Sequence, residues 1–339
     1  MSVTSTESGL DAAIPARSTL DRGSRFDLPP FPESWYRVAA TEDVPTGTVV
    51  SIRAFGRDLV CFRGESGIVS VLDAYCAHLG ANIGRGGFVD GDQIVCPFHH
   101  WRYGADGRNT LIPYADRPNR TARLGRWRTL ERNGLILVWN SPDSHEPTWE
   151  PPVMTEGDSP GFVRVESQEW IISTHVQEVF ENTVDISHFQ YVHGVSGFGA
   201  VELVEDGPMF RAIASVTMKT PRGEVEGAVE SELWGMGLDH VRQRGIGDAL
   251  SILSVTPIDV DVVRAGYTFF VPGDAATGEP SSYGRGFMRE FSRQITQDIP
   301  IWESKIHRAH PRLAPGEGAI SDFRRWAEQF HPALPTGAA

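Results

Sequence analysis

Cysteine is scarce in this chain: three in 339 residues are too few for a disulfide framework. Their thiols are expected to stay reduced in a cytoplasmic setting, free to bind metal. No apolar run approaches the roughly 18 residues of a membrane span. The first residues lack the apolar stretch of a secretory signal, and Glu7, Asp11, Asp21 and Asp27 break the acid-poor rule of a transit peptide. Basic charge is also short. A net charge of −13 excludes nucleic acid as the main partner, because phosphate binding needs a basic surface. The glycines at 194–199 and Gly235-x-Gly237 do not open a strand-to-helix phosphate turn, so no nicotinamide or flavin fingerprint is present.

What is present suggests an α+β protein of two domains. Apolar content of 40% is ordinary for a globular chain of this length. Residues 1–28 read as a mobile arm, rich in Ser, Thr, Asp and Gly. Between Tyr36 and Trp139, short strand-like runs (Thr48–Arg53, Asp58–Arg63, Ile68–Leu72, Leu135–Trp139) alternate with glycine turns. They predict a small antiparallel sandwich or barrel over 29–140. Residues 141–161 are dense in Pro, Ser, Asp and Glu and read as a linker, with an exposed His145. Over 162–335, long strands (Phe210–Lys219, Val225–Trp234, Ala249–Thr256, Val262–Phe270) predict a large antiparallel sheet with one buried face. Helical spacing of Ile295, Ile299, Trp302 and Ile306 predicts a helix over 289–310, kinked or begun by Pro300. A last helix, Asp322–Phe330, would be capped by Ser321.

The first chemical constellation is Cys76-x-His78, then seventeen residues, then Cys96-x-x-His99. Two thiolates and two imidazoles on paired loops are the ligand set of a Rieske [2Fe–2S] centre, with tetrahedral zinc as the competing reading. Cys61, in the middle of a strand, reads as a buried apolar filler. His100 reads as an exposed neighbour of the ligand His99.

The second is Asp185-x-x-His188-x-x-x-x-His193. Two imidazoles and a carboxylate can hold a ferrous ion on one face and leave positions open for dioxygen. On an ideal helix Asp185 would lie between the histidines, which stand about 140° apart, too wide for one ion. The helix is therefore expected to distort or end between them, with Gly194 as a stop. Candidates for the carboxylate are Asp298, Asp185, Glu178, Glu181 and Asp322. Asp185 also suits a supporting role, accepting a ring N–H. Phe189, Val195, Phe198, Trp234 and Phe269 are candidates for a pocket wall.

The two constellations together resemble the oxygenase component of Rieske non-haem iron oxygenases, over about residues 35–332. VLDAYCAHLGANIG, CPFHHWRY and TLERNGLILVWN are similar to the 3-ketosteroid 9α-hydroxylase subgroup, and HVQEVFENTVD to the cholesterol 7-desaturase group. QDIPIWESK and FRRWAEQF resemble the C-terminal pattern of both. The resemblance implies an N-terminal Rieske domain and a C-terminal helix-grip domain. It makes Asp298 the third ligand of a mononuclear Fe(II) held by His188 and His193. It also implies a homotrimer, in which Asp185 bridges the cluster of one subunit to the iron of the next. O2, an apolar ring substrate and a separate ferredoxin or flavoprotein reductase are the implied partners. Hydroxylation is the expected reaction; desaturation and a plain Rieske electron carrier are the alternatives. Two departures stand out: His100 replaces an expected Asp, and the stretch after His193 does not match closely.

Overall fold

The computed structural model describes residues 24–331 apart from 143, 196–197, 221–222 and 246. Most of the expected arm (1–23) and the expected end of the second domain (332–335) therefore lie outside the described residues. The remaining arm residues, 24–28, are anchored. Phe26 is buried, Ser24 bonds Asp261, and Arg25 donates to the carbonyls of Ser173, Glu303 and Lys305.

The N-terminal half is all β, as expected. Its strands are β1 (Ser34–Ala40), β2 (Val49–Ala54), β3 (Arg57–Arg63), β4 (Val69–Asp73), β5 (Phe88–Asp90), β6 (Gln93–Val95), β7 (Arg102–Tyr103), β8 (Asn109–Leu111), β9 (Arg126–Trp127), β10 (Thr129–Arg132) and β11 (Leu135–Asn140). They form three small sheets, ordered β1-β11-β10, β2-β3-β4-β9 and β5-β6-β7-β8. The last sheet carries the second Cys/His loop between β6 and β7.

The C-terminal half begins with β12 (Phe162–Ile172), then the short helices α1 (Val176–Glu181) and α2 (Ile186–Tyr191). Five long strands follow: β13 (Phe198–Asp206), β14 (Met209–Thr220), β15 (Gly223–Trp234), β16 (Leu238–Arg244) and β17 (Ala249–Asp259). β18 (Val262–Asp274), α3 (Ser282–Ser304) and α4 (Gly318–Ala327) complete it. The sheet runs β12-β18-β17-β16-β15-β14-β13, antiparallel throughout, with helices on one face.

Two helix expectations change. Pro300 lies inside α3 and neither starts nor ends it, and residues 305–310 are not helical. Ser321 sits within α4, whose N-cap is Glu317 with no side-chain cap. The helix carrying His188 ends at Tyr191, before His193, as expected; it is separate from α1, because Asp185 takes the N-cap of α2 and accepts the His188 N–H at 3.3 Å.

The halves do not keep wholly separate cores. Tyr36, Val38, Ile52 and Phe55 pack in one cluster with Val176, Phe180, Val255 and Phe287. Backbone bonds run from Phe55 N–H to Pro257 and from Gly56 N–H to Ile258. The Gly235-x-Gly237 turn fits under β1, since a Cβ on Gly237 would stand 2.0 Å from the Trp35 carbonyl. The run 141–161 is fastened rather than loose. Trp149 accepts the Trp35 indole N–H at 2.7 Å and packs on Trp139 and Trp234, and Met154 is buried.

Buried charge ties α1 to the chain after α3. Glu178, fully buried, accepts from His307 at 2.7 Å and from Lys305 at 2.5 Å, while Glu181 pairs with Arg324 at 2.6 Å. Burial opposes the charge on Glu178, but the His307 and Lys305 contacts outweigh it and hold the carboxyl down to about 2. A depressed carboxyl contributes stability above its unfolded value of about 4.5 and loses it as pH falls toward about 2, at most about 3 kcal/mol. We expect Glu178→Gln to be less stable than the native chain at pH 7, and the gap to close as pH falls from 4.5 to 2. Denaturant titrations of both proteins across that range check it.

Candidate metal centres and cavity

The two Cys/His loops are built alike. The Cys76 N–H bonds the Ala81 carbonyl and the Cys76 carbonyl accepts from Gly80; Cys96 repeats this with Trp101 and His100. The residue four after each cysteine takes a left-handed backbone, Gly80 at φ +75° and His100 at φ +55°. Glycine enters that region freely, and Asp, Asn and His are the side chains that tolerate it best. The His-for-Asp departure at position 100 is thus a swap among residues the turn accepts, and His100 is exposed as expected.

Each loop delivers one sulfur and one imidazole. Cys76 and Cys96 are buried and lie against each other, and the His78 and His99 rings meet edge-on at 4.7 Å. Trp101 stacks flat on His78 at 4.4 Å. The Nδ1 atoms of both histidines are buried with no partner, which is costly unless something binds there. Burial pushes the Cys96 thiol up, while the N–H groups of Phe98 and His99 aim at its sulfur and oppose that. Tyr103 Oη lies 3.1 Å from the Cys76 sulfur. Paired sulfurs beside paired, unpartnered nitrogens fit a two-iron cluster better than one tetrahedral ion. Cys61 is fully buried away from both loops, as a core filler should be.

The second centre joins His188, His193 and Asp298, whose donor atoms lie within 4.8 Å of one another. α2 ends at Tyr191 and Gly194 follows at φ +72°, so His193 is freed from the helical angle and its ring meets His188 at 5.0 Å. His193 Nε2 stands 3.3 Å from Asp298 Oδ2. The other ring nitrogens are taken: His188 Nδ1 by the Asp185 carbonyl, and His193 Nδ1 by Gln297 Oε1 at 3.0 Å. Both Nε2 atoms are thereby left as the donors available to a metal. Burial favours neutral His188, the form that ligates, and pushes the Asp298 carboxyl up. Asp298 Oδ1 is buried and unpartnered, so the residues present fit one cation.

The other carboxylate candidates are occupied elsewhere. Glu178 and Glu181 belong to the ion network of α1, and Asp322 pairs with Arg325 on α4. Asp185 supports His188 through its backbone carbonyl, whereas its carboxylate caps α2 rather than meeting the ring.

The triad faces a cavity of about 270 Å³ between the helices and the sheet. Phe189, Val195 and Phe198 line it as expected, with Val201, Phe291 and Trp302. Trp234 and Phe269 do not: Trp234 packs on Trp149, and Phe269 is buried in the core under α3.

The sequence reading missed Gln297. Arg293, one helical turn earlier, donates to it at 2.6 Å and to the His193 carbonyl. Its place beside Asp298 was the only clue. We expect Gln297→Leu to weaken mononuclear iron binding about ten- to a hundredfold and spare the two-iron cluster. Iron titration followed by metal analysis reads the first effect, and the visible absorption reads the second.

Residues 34–129 match the Rieske [2Fe–2S] domain family, and residues 138–331 match the 3-ketosteroid 9α-hydroxylase C-terminal domain family. A cholesterol 7-desaturase of Xenopus laevis is 28% identical, covering 96% of this chain and 77% of that one. A 3-ketosteroid-9-alpha-monooxygenase oxygenase component of Rhodococcus rhodochrous is 30% identical, covering 89% and 81%. Among solved structures, dicamba monooxygenase bound to dicamba superposes with a TM-score of 0.72 at 16% identity, covering 88% of this chain and 96% of that one. At that identity it supports the fold alone.

Proposed function

The chain belongs to the Rieske non-haem iron oxygenases, with a catalytic half of the 3-ketosteroid 9α-hydroxylase type, and on that premise we propose that it hydroxylates an apolar, steroid-like ring compound with O2. The observation that carries this reading is the convergence of His188, His193 and Asp298 on the wall of a largely apolar cavity. A plain electron carrier would leave that half unexplained.

In this reading Cys76 and Cys96 hold one iron of the cluster, His78 and His99 the other, and His188, His193 and Asp298 hold the mononuclear ion. When bound, the cluster supplies single electrons and the ferrous ion supplies dioxygen activation. The chain's own residues set the conditions. The Phe98 and His99 N–H groups lie by the Cys96 sulfur and the Tyr103 hydroxyl by the Cys76 sulfur, where hydrogen bonds would tune the potential of a bound cluster. Asp185 and Gln297 keep the protons of His188 and His193 on Nδ1. Phe189, Phe198 and Trp302 keep water from the reacting carbon. Electrons come from a separate ferredoxin or flavoprotein reductase.

A homotrimer fits the exposed apolar side chains beside the cluster: Leu79, Phe98 and Tyr114 are 66%, 60% and 63% exposed. Large apolar side chains exposed near one site suit an interaction face. We assign Asp185 as the bridge from the cluster of one subunit to the iron of the next. A cytoplasmic location suits three free thiols.

The protein should contain about three irons per chain, where a carrier would hold about two. Asp185→Asn keeps a good N-cap residue, so it should retain both centres and stop product formation under single turnover. Loss of the mononuclear iron in that variant would make Asp185 a ligand instead. The relatives include both a hydroxylating and a desaturating enzyme, and product mass separates the two: a gain of one oxygen atom against a loss of two hydrogens. The hydroxylated product is the expected one.

A further inference from the structure

The sheet wall of the cavity carries a buried carboxylate that neither metal centre uses. Asp239 lies on the central strand β16, in register with Leu233 on β15 and Leu253 on β17. Its neighbours on that wall are Val229, Val241, Leu253 and the alanines of β14. At 4% exposure, a carboxylate in such company costs stability unless it is well bonded. It has no cationic partner among its hydrogen bonds. Ser231 Oγ donates to Oδ1 at 2.5 Å, and Thr183 Oγ1 reaches Oδ2 only at 3.5 Å. One oxygen is firmly held, and the other is left with acceptor capacity beside an open cavity. A leucine would fill the same place in a sheet that only had to fold.

The charge of the whole cavity narrows the choice. Of the carboxylates on its lining, Glu290 is paired with Arg293 and Asp298 would be paired with a bound ferrous ion, which leaves Asp239 without a countercharge. An anionic group pointed at Asp239 would be repelled. A ketone pointed at Asp239 would set acceptor against acceptor. A cation would lose its hydration against walls that are mostly apolar. A neutral hydroxyl meets none of these penalties.

We propose that Asp239, positioned by Ser231, is a specificity-determining residue that accepts a hydrogen bond from a hydroxyl group on the apolar substrate. This rests on the oxygenase reading above. Burial pushes the Asp239 carboxyl up to about 6, which leaves it mostly charged, and so an acceptor, at neutral pH. The site is coupled to the metal through one short connector. Thr183, whose Oγ1 stands 3.5 Å from Asp239, follows Asn182, which lines the same cavity as Asp298. Seating the hydroxyl therefore fixes the ring frame relative to the metal ligands.

The test is calorimetric binding to the iron-loaded protein without oxygen. The probes are trans-2-decalol, trans-2-decalone, trans-2-decalylamine and decalin-2-carboxylate, together with a steroid in its 3-hydroxy and 3-keto forms. Each alcohol should bind about ten- to a hundredfold more tightly than its ketone, the range of one hydrogen bond to a charged acceptor. The carboxylate should not bind measurably. Asp239→Asn, whose amide can donate as well as accept, should bring alcohol and ketone within a few-fold of each other, with the cluster absorption unchanged. A purely structural role for Asp239 would lower both affinities and leave their ratio intact, which overturns the proposal. So would equal binding of alcohol and ketone to the native protein, or an amine that binds more tightly than the alcohol. In those cases the oxygenase reading stands. If no ring compound binds at all, both fail together.

Discussion

The catalytic half depends on one contact, the approach of His193 Nε2 to Asp298 Oδ2 at 3.3 Å in a nearly closed setting. It joins the end of α2 to the middle of α3, two segments far apart in sequence. A straight helix would hold His188 and His193 too far apart around its axis for one ion. Ending α2 at Tyr191 removes that constraint, and α3 then brings its carboxylate across. Asp298 Oδ1 remains buried and unpartnered, an arrangement that a cation would complete.

The surroundings restrain those three side chains. Gln297 is held by Arg293 and in turn holds His193. Asp185 caps α2 and turns His188 through its carbonyl. Behind α1, the buried pairs of Glu178 and Glu181 fix the connector from which Asn182 and Thr183 reach the cavity. Such networks position a site even where they add little net stability. The cavity wall opposite is the antiparallel sheet, whose alternation places every second residue of β14, β15 and β16 toward the metal ligands.

The cluster loops obey a different economy. Each is a tight turn closed by its own backbone bonds, so the donor atoms are set by local geometry and by the small sheets beneath. This explains why spacing alone could predict that Cys76, His78, Cys96 and His99 come together. The same geometry accounts for His100, which departs from the family pattern yet sits where a left-handed residue is needed.

The sequence by itself determined the strands, the two Cys/His loops and the pair of histidines, because these follow from periodicity and short-range spacing. Spacing left the carboxylate open among five acids, and only the family resemblance pointed to Asp298. Composition could not say that Glu178, Glu181 and Asp322 would be consumed by ion pairs. Nor could it show that α1 and α2 part at Asp185, that Gln297 holds a ligand, or that Asp239 would face the cavity while Trp234 and Phe269 turn away. Those outcomes belong to tertiary structure: which of several equivalent polar side chains meets a given partner is set by the packing of distant segments, and no local pattern encodes that.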